Sequence, residues 1–241
     1  MPGVIESRKC TVDGQRVHYL KAGDGPPVVL LHGGASDSTD WIATMGTLSA
    51  DYSLYAPDML GYGQSDRVKD AYYLRDFVAS TRDFIQGLGL ASPALVGHSL
   101  GGRVCLDIAL LYPEIVSKLV LIDTLGFSRI SHWGNWLGTG LWHIRKFLGR
   151  PNPYPALLPG EGEDPHWICL DRLPNLRVPT LVVWKQLDPY LPLASARKAR
   201  ELIPEASLKV FFGYGHAPHR QHRRAFHRLL MRFLNGEQPA V

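Results

Sequence analysis

The segment Gly97-His98-Ser99-Leu100-Gly101 carries the most chemical information in the chain. A serine flanked by glycines two places before and two places after suits a sharp turn that exposes its hydroxyl. A serine hydroxyl alone is a weak nucleophile and needs a base, held in turn by an acid. Two later residues fit those roles in the chain order Ser, Asp, His: Asp188 in Gln186-Leu187-Asp188-Pro189-Tyr190, and His216 in Gly213-Tyr214-Gly215-His216-Ala217. His216 would take the Ser99 proton and return it to the leaving group, and Asp188 would hold the imidazole in one tautomer. The oxyanion formed on attack needs two donors. Leu100 N–H, at the start of a helix, is one, and Gly34 N–H in His32-Gly33-Gly34 is the other. His32 itself is expected to brace the loop beneath the site. Asp123 is a second candidate for the acid, and Asp188 has the better local motif.

These residues need elements that bring them together. Val28–Leu31, Leu54–Ala56, Ala94–Val96, Lys118–Ile122, Thr180–Trp184 and Leu208–Phe212 are short apolar runs, as strands buried on both faces are. Helical spacing fills Ser38–Ala50, Tyr72–Leu88, Leu100–Leu111, Leu193–Ile203 and Pro218–Leu234. Asp13-Gly14 marks a hairpin near the start. Strand and helix alternate, so the fold class is α/β, a mostly parallel sheet with helices on both faces. Ser99, Asp188 and His216 each follow a strand, where open α/β sheets place their ligands.

Residues 124–175 break the alternation. They hold four of the six tryptophans, Trp133, Trp136, Trp142 and Trp167. So long a stretch is expected to be an inserted helical cap over a core of residues 1–123 and 176–241. Some of its tryptophans would form a small core of their own against the sheet, and others would line an apolar pocket.

The quoted motifs, with Asp58-Met59-Leu60-Gly61-Tyr62-Gly63-Gln64-Ser65 and Pro179–Asp188, resemble those of the α/β-hydrolase superfamily. The chain looks most like its small serine carboxylesterase-type members with a short cap. The resemblance spans nearly the whole chain and implies a serine triad without a metal or organic cofactor. A serine nucleophile separates it from the haloalkane dehalogenase and epoxide hydrolase branches, which use aspartate there. Three departures stand out. Lys185 occupies a position usually held by glycine, Gln221-His222-Arg223-Arg224 replaces a usual Glu-x-Pro, and the short insertion implies an open, shallow cleft.

The implied function is hydrolysis of small to medium, largely apolar carboxylic esters. Two alternatives use the same site: a carbon–carbon bond hydrolase acting on a β-diketone or ring-fission product, or a non-catalytic ligand-binding relative. Arg103 is a weak candidate anchor for an acidic substrate of the first kind.

The remaining features point away from other classes. The 241 residues carry 26 Lys+Arg against 22 Asp+Glu, and the excess gathers in the final basic helix. That helix reads as a solvated amphipathic surface, so nucleic acid is not an expected partner. His219, His222 and His227 lie on it with no carboxylate or thiolate near them in sequence, so no metal centre is expected. Asp58 should bond backbone groups of its own loop. Cys10, Cys105 and Cys169 form neither a disulfide framework nor a metal pair, and Cys105 reads as a buried apolar filler. No signal peptide and no membrane span are expected, which makes a cytoplasmic protein with a small-molecule substrate the natural reading.

Overall fold

The computed structural model describes residues 3–131, 147, 153–160, 164 and 167–237. An eight-stranded sheet runs in the order β1-β2-β4-β3-β6-β7-β9-β10. Its strands are β1 (Glu6–Val12), β2 (Gln15–Ala22), β3 (Pro27–Leu31), β4 (Ser53–Pro57), β6 (Ala94–His98), β7 (Lys118–Ile122), β9 (Thr180–Leu187) and β10 (Ala206–Tyr214). The hairpin β1–β2 and the β2–β4 pair are antiparallel, and every other neighbouring pair is parallel. Asp13 and Gly14 both have positive φ, 46° and 73°, as a tight two-residue hairpin turn requires.

Successive strand residues alternate between two apolar layers. In β7, Leu119 and Leu121 face the layer that contains Phe77, Phe84, Val104 and Leu106. Val120 and Ile122 face the opposite layer, with Trp41, Met45, Phe226 and Leu230. The first layer is covered by α2 (Leu74–Gly87) and α3 (Leu100–Leu111), the second by α1 (Ile42–Leu48) and the long C-terminal helix. Each such buried side chain stabilises the fold by about 1.5–3 kcal/mol.

Three elements differ from the sequence reading. Tyr72 belongs not to a helix but to β5 (Ala71–Tyr73), which pairs with β8 (Ala156–Leu158) in a separate two-stranded sheet. The helix starts later, where the Asp76 carboxylate accepts a 2.9 Å bond from Tyr73 N–H. Strand β9 continues through Lys185 to Leu187, so no early turn forms at the departure from glycine. The final helix is two helices, α5 (Pro218–Gln221) and α6 (Arg223–Leu234), separated at His222. Helix α4 (Leu193–Leu202) matches its expected position.

The chain leaves the large sheet after Ile122 and returns at Thr180. Trp133, Trp136 and Trp142 lie outside the described residues. No helix among the described residues is long and apolar enough to cross a membrane.

Candidate active site

Ser99 joins β6 to α3 with φ 52° and ψ −113°. A non-glycine residue in that region costs about 1–3 kcal/mol, so its surroundings must hold it there. They do so through the backbone. Ser99 N–H donates to Ile122 C=O at 2.9 Å, and Ser99 C=O accepts from Arg103 N–H at 3.1 Å. The flanking glycines permit the crossing. A Cβ on Gly97 would stand 2.4 Å from Gly101 C=O, and one on Gly101 would stand 2.5 Å from His32 C=O. The helix can therefore start directly against β3 and β6.

His216, on the loop after β10, directs Nδ1 to Asp188 Oδ2 at 2.6 Å. The side chain of Asp188, just past β9, is fully buried, and its Oδ1 accepts from Tyr190 N–H at 2.7 Å and Leu191 N–H at 3.1 Å. The Tyr190 ring stands edge-on to the imidazole with centroids 5.0 Å apart. Asp123, the other candidate acid, bonds elsewhere: its Oδ1 accepts from Lys185 N–H at 2.8 Å. Burial, reinforced by the Asp188 charge, raises the Asp123 carboxyl well above the usual carboxylate range.

Ser99, His216, Gly34 and Leu100 all line one cavity of about 700 Å³. Leu100 is the first helical residue, so its N–H has no acceptor within the helix. Gly34 lies beside it: a Cβ there would be 3.5 Å from Leu100 Cδ2. No hydrogen bond joins Ser99 to His216 among the described residues, so only the His–Asp half of the relay is bonded. Apolar side chains supply most of the wall, among them Tyr62, Leu125, Ile130, Leu157 and Leu191. Sequence reasoning did not single these out. Only Tyr62, between Gly61 and Gly63 of the loop that starts at Asp58, carried a local signal.

Several supporting residues sit as expected. His32 is buried, donates from Nδ1 to Gly33 C=O at 2.8 Å and accepts from Met59 N–H at Nε2, 3.0 Å away. Asp58 accepts from the N–H groups of Ser38 and Gln64 at 2.7 and 2.8 Å and bonds His18. Burial alone would raise its carboxyl, yet those donors draw it below the usual range. Cys105 is buried, which pushes its thiol up.

Two expectations fail, those for Arg103 and for the histidine helix, and of the four tryptophans of residues 124–175 only Trp167 lies among the described residues. Arg103 faces away from the cavity, pairing with Asp107 at 3.1 Å and donating to Trp167 C=O. It cannot anchor a substrate at Ser99. Trp167 lines a different hollow, beside Arg103 and Arg172. The histidines after His216 are not solvated: His219 is 2% exposed and His227 7%. The break at His222 turns His219 inward, where it stacks on Trp41 with centroids 4.7 Å apart.

The profile of the alpha/beta hydrolase fold matches residues 26–157, more than half of the chain. The protein belongs to this family. An uncharacterized protein of Mycobacterium tuberculosis is 26% identical over 95% of this chain and 81% of its own length. The 2-hydroxy-6-oxo-6-phenylhexa-2,4-dienoate hydrolase of Burkholderia cepacia is 27% identical over 92% of each chain. Among solved α/β hydrolases, a carboxylesterase of Bacillus subtilis superposes with a TM-score of 0.86 at 21% identity, covering 98% of this chain and 94% of its own.

Proposed function

We propose that this α/β hydrolase cleaves small to medium, largely apolar carboxylic esters through an acyl-enzyme. One observation carries the reading. A single apolar cavity holds a serine in a strained turn, a histidine already bonded to a buried aspartate, and two residues positioned to supply main-chain donors. Ser99 Oγ attacks the ester carbonyl as His216 Nε2 takes its proton. The negative oxygen is held by Gly34 N–H and Leu100 N–H, each fixed before reaction and so stabilising charge without reorganisation. His216 then protonates the departing alcohol. Water, deprotonated by the same imidazole, releases the acid. Asp188 keeps Nδ1 protonated and stabilises the imidazolium.

Residues 124–175 act as the cap in this reading. Leu125, Ile130, Pro155 and Leu157 come from that stretch and line the cavity, which supports a role in substrate selection.

A second reading, carbon–carbon bond hydrolysis, is supported by the Burkholderia relative, whose name describes hydrolysis of a 2-hydroxy-6-oxo-dienoate. Such a substrate carries a carboxylate. Among the described residues the Lys or Arg side chain lining this cavity is Arg220, already paired with Asp40 at 2.9 Å, which favours the neutral ester.

The test is turnover of p-nitrophenyl esters of rising chain length by the wild type and by Ser99→Ala. The variant should lose at least roughly a thousandfold in kcat/KM. A folded wild type that forms no acyl-enzyme with any ester removes the esterase reading. Turnover of β-diketones far above that of esters moves the assignment to carbon–carbon hydrolysis.

A further inference from the structure

In Asp40, His98 and His219, which lie together, and in Trp41, which stacks on His219, five buried polar atoms have no hydrogen-bond partner among the described residues. They are Asp40 Oδ2, Trp41 Nε1, His98 Nδ1 and both ring nitrogens of His219. Buried polar groups are nearly always satisfied, so a cluster of orphans asks for an occupant. The sequence concealed the cluster, because His219 has no acid near it in the chain. The fold supplies Asp40, which closes the 3-10 turn Ser38–Trp41.

Ligand atoms of Asp40, His98 and His219 all lie within 4.8 Å of one another. Ligands on a tetrahedral zinc ion with Zn–N near 2.0 Å sit about 3.3 Å apart, which small side-chain rotations can reach. His98 Nε2 bonds the His216 main-chain carbonyl at 2.6 Å, so that nitrogen carries the proton and Nδ1 keeps its lone pair. Arg220 bonds only Asp40 Oδ1, leaving Oδ2 free to ligate. Asp40 and His98 also line the Ser99 cavity, through which an ion and its water could enter.

We infer that Asp40, His98 and His219 form a binding site for a borderline divalent cation of the zinc class. Two imidazoles and one carboxylate select such ions over calcium or magnesium, which prefer oxygen alone. Burial, with Arg220 and the neighbouring rings adding to it, draws His219 down to about 3 and His98 well below its ordinary value. Both imidazoles are therefore neutral ligands at physiological pH. Arg220 is the opposing charge, since its guanidinium competes for the Asp40 carboxylate.

One consequence rests on the hydrolase reading above. An ion on His98 Nδ1 would draw on the ring that holds the His216 carbonyl, so occupancy should slow ester turnover and a chelator should restore it.

Binding is measured without reference to activity, by calorimetric titration of the metal-free full chain with Zn2+ and by the visible absorption of the Co2+ complex. One ion per chain with nitrogen-rich, low-coordinate Co2+ bands is expected. Asp40→Asn and His219→Phe should each weaken binding by about tenfold or more. No binding at millimolar Zn2+ overturns the site, as does equal binding by the wild type and Asp40→Asn. If His219→Phe does not fold, Asp40→Asn decides. Zinc binding together with no ester turnover by the metal-free protein would sink the hydrolase reading and leave the metal site standing.

Discussion

Neighbouring strands β7 and β9 are each followed by an aspartate with a buried side chain, yet the two aspartates do different things. Asp188 gives one oxygen to His216 and the other to two main-chain N–H groups, so every lone-pair direction of consequence is used. Asp123 gives one oxygen to Lys185 N–H, and the other has no partner among the described residues. A carboxylate so placed is better off keeping its proton. The difference lies in the partners. Residue type and strand-end position are shared, while the loop after β10 brings its imidazole to only one of the two.

The contrast can be broken by experiment. Asp188→Asn should cost about 10⁴-fold in kcat/KM, because the amide favours the wrong imidazole tautomer. Asp123→Asn should cost less than about tenfold. Ester assays on the two purified variants decide it, and a reversed order would transfer the acid role to Asp123. A smaller effect separates their structural duties. Asp123→Ala leaves Lys185 N–H buried without its acceptor and should lower stability by about 1–3 kcal/mol in denaturant unfolding, whereas Asp123→Asn keeps an acceptor there.

The finest discrimination is in pH. The folded Asp123 carboxyl titrates above its ordinary 3.8, through burial first and the Asp188 charge second. Its contribution to stability is therefore full below that value and is lost as pH rises towards the folded value. Asp123→Asn has no such group. The melting temperature of the variant relative to the wild type should climb from about pH 4 towards neutrality. A constant difference would mean that Asp123 is ionised in the fold.

Local signals carried much of the sequence reading. The Gly97–Gly101 turn, the Asp13-Gly14 hairpin and the apolar runs of the sheet are set by neighbours within a few residues. The strand alternation they define is the α/β hydrolase architecture that the family match shows. The misses were non-local. β5 is three residues long and becomes a strand only because Ala156–Leu158 lies beside it. Helical spacing around His219 gives no sign that the chain breaks at His222 and turns the ring against Trp41. Arg103 looked free on its helix, and its partner Asp107 was one turn away in plain view. The order of Ser99, Asp188 and His216 was legible, whereas the cavity wall was not, since it is assembled from seven separate stretches of chain, 33–40, 62, 98–100, 125–130, 155–157, 190–191 and 216–221.

The small sheet of β5 and β8 has a consequence for how this protein could be remodelled. Its three-residue pairing fastens the chain at Ala156–Leu158 between the two ends where that stretch leaves and rejoins the core. Leu157, at the middle of the fastening, lines the cavity that holds Ser99 and His216. The excursion is thereby divided into two arcs, one before the clasp and one after. Chimeras that cut at the clasp should alter substrate range in separable steps, and the scaffold beneath would carry each new roof unchanged.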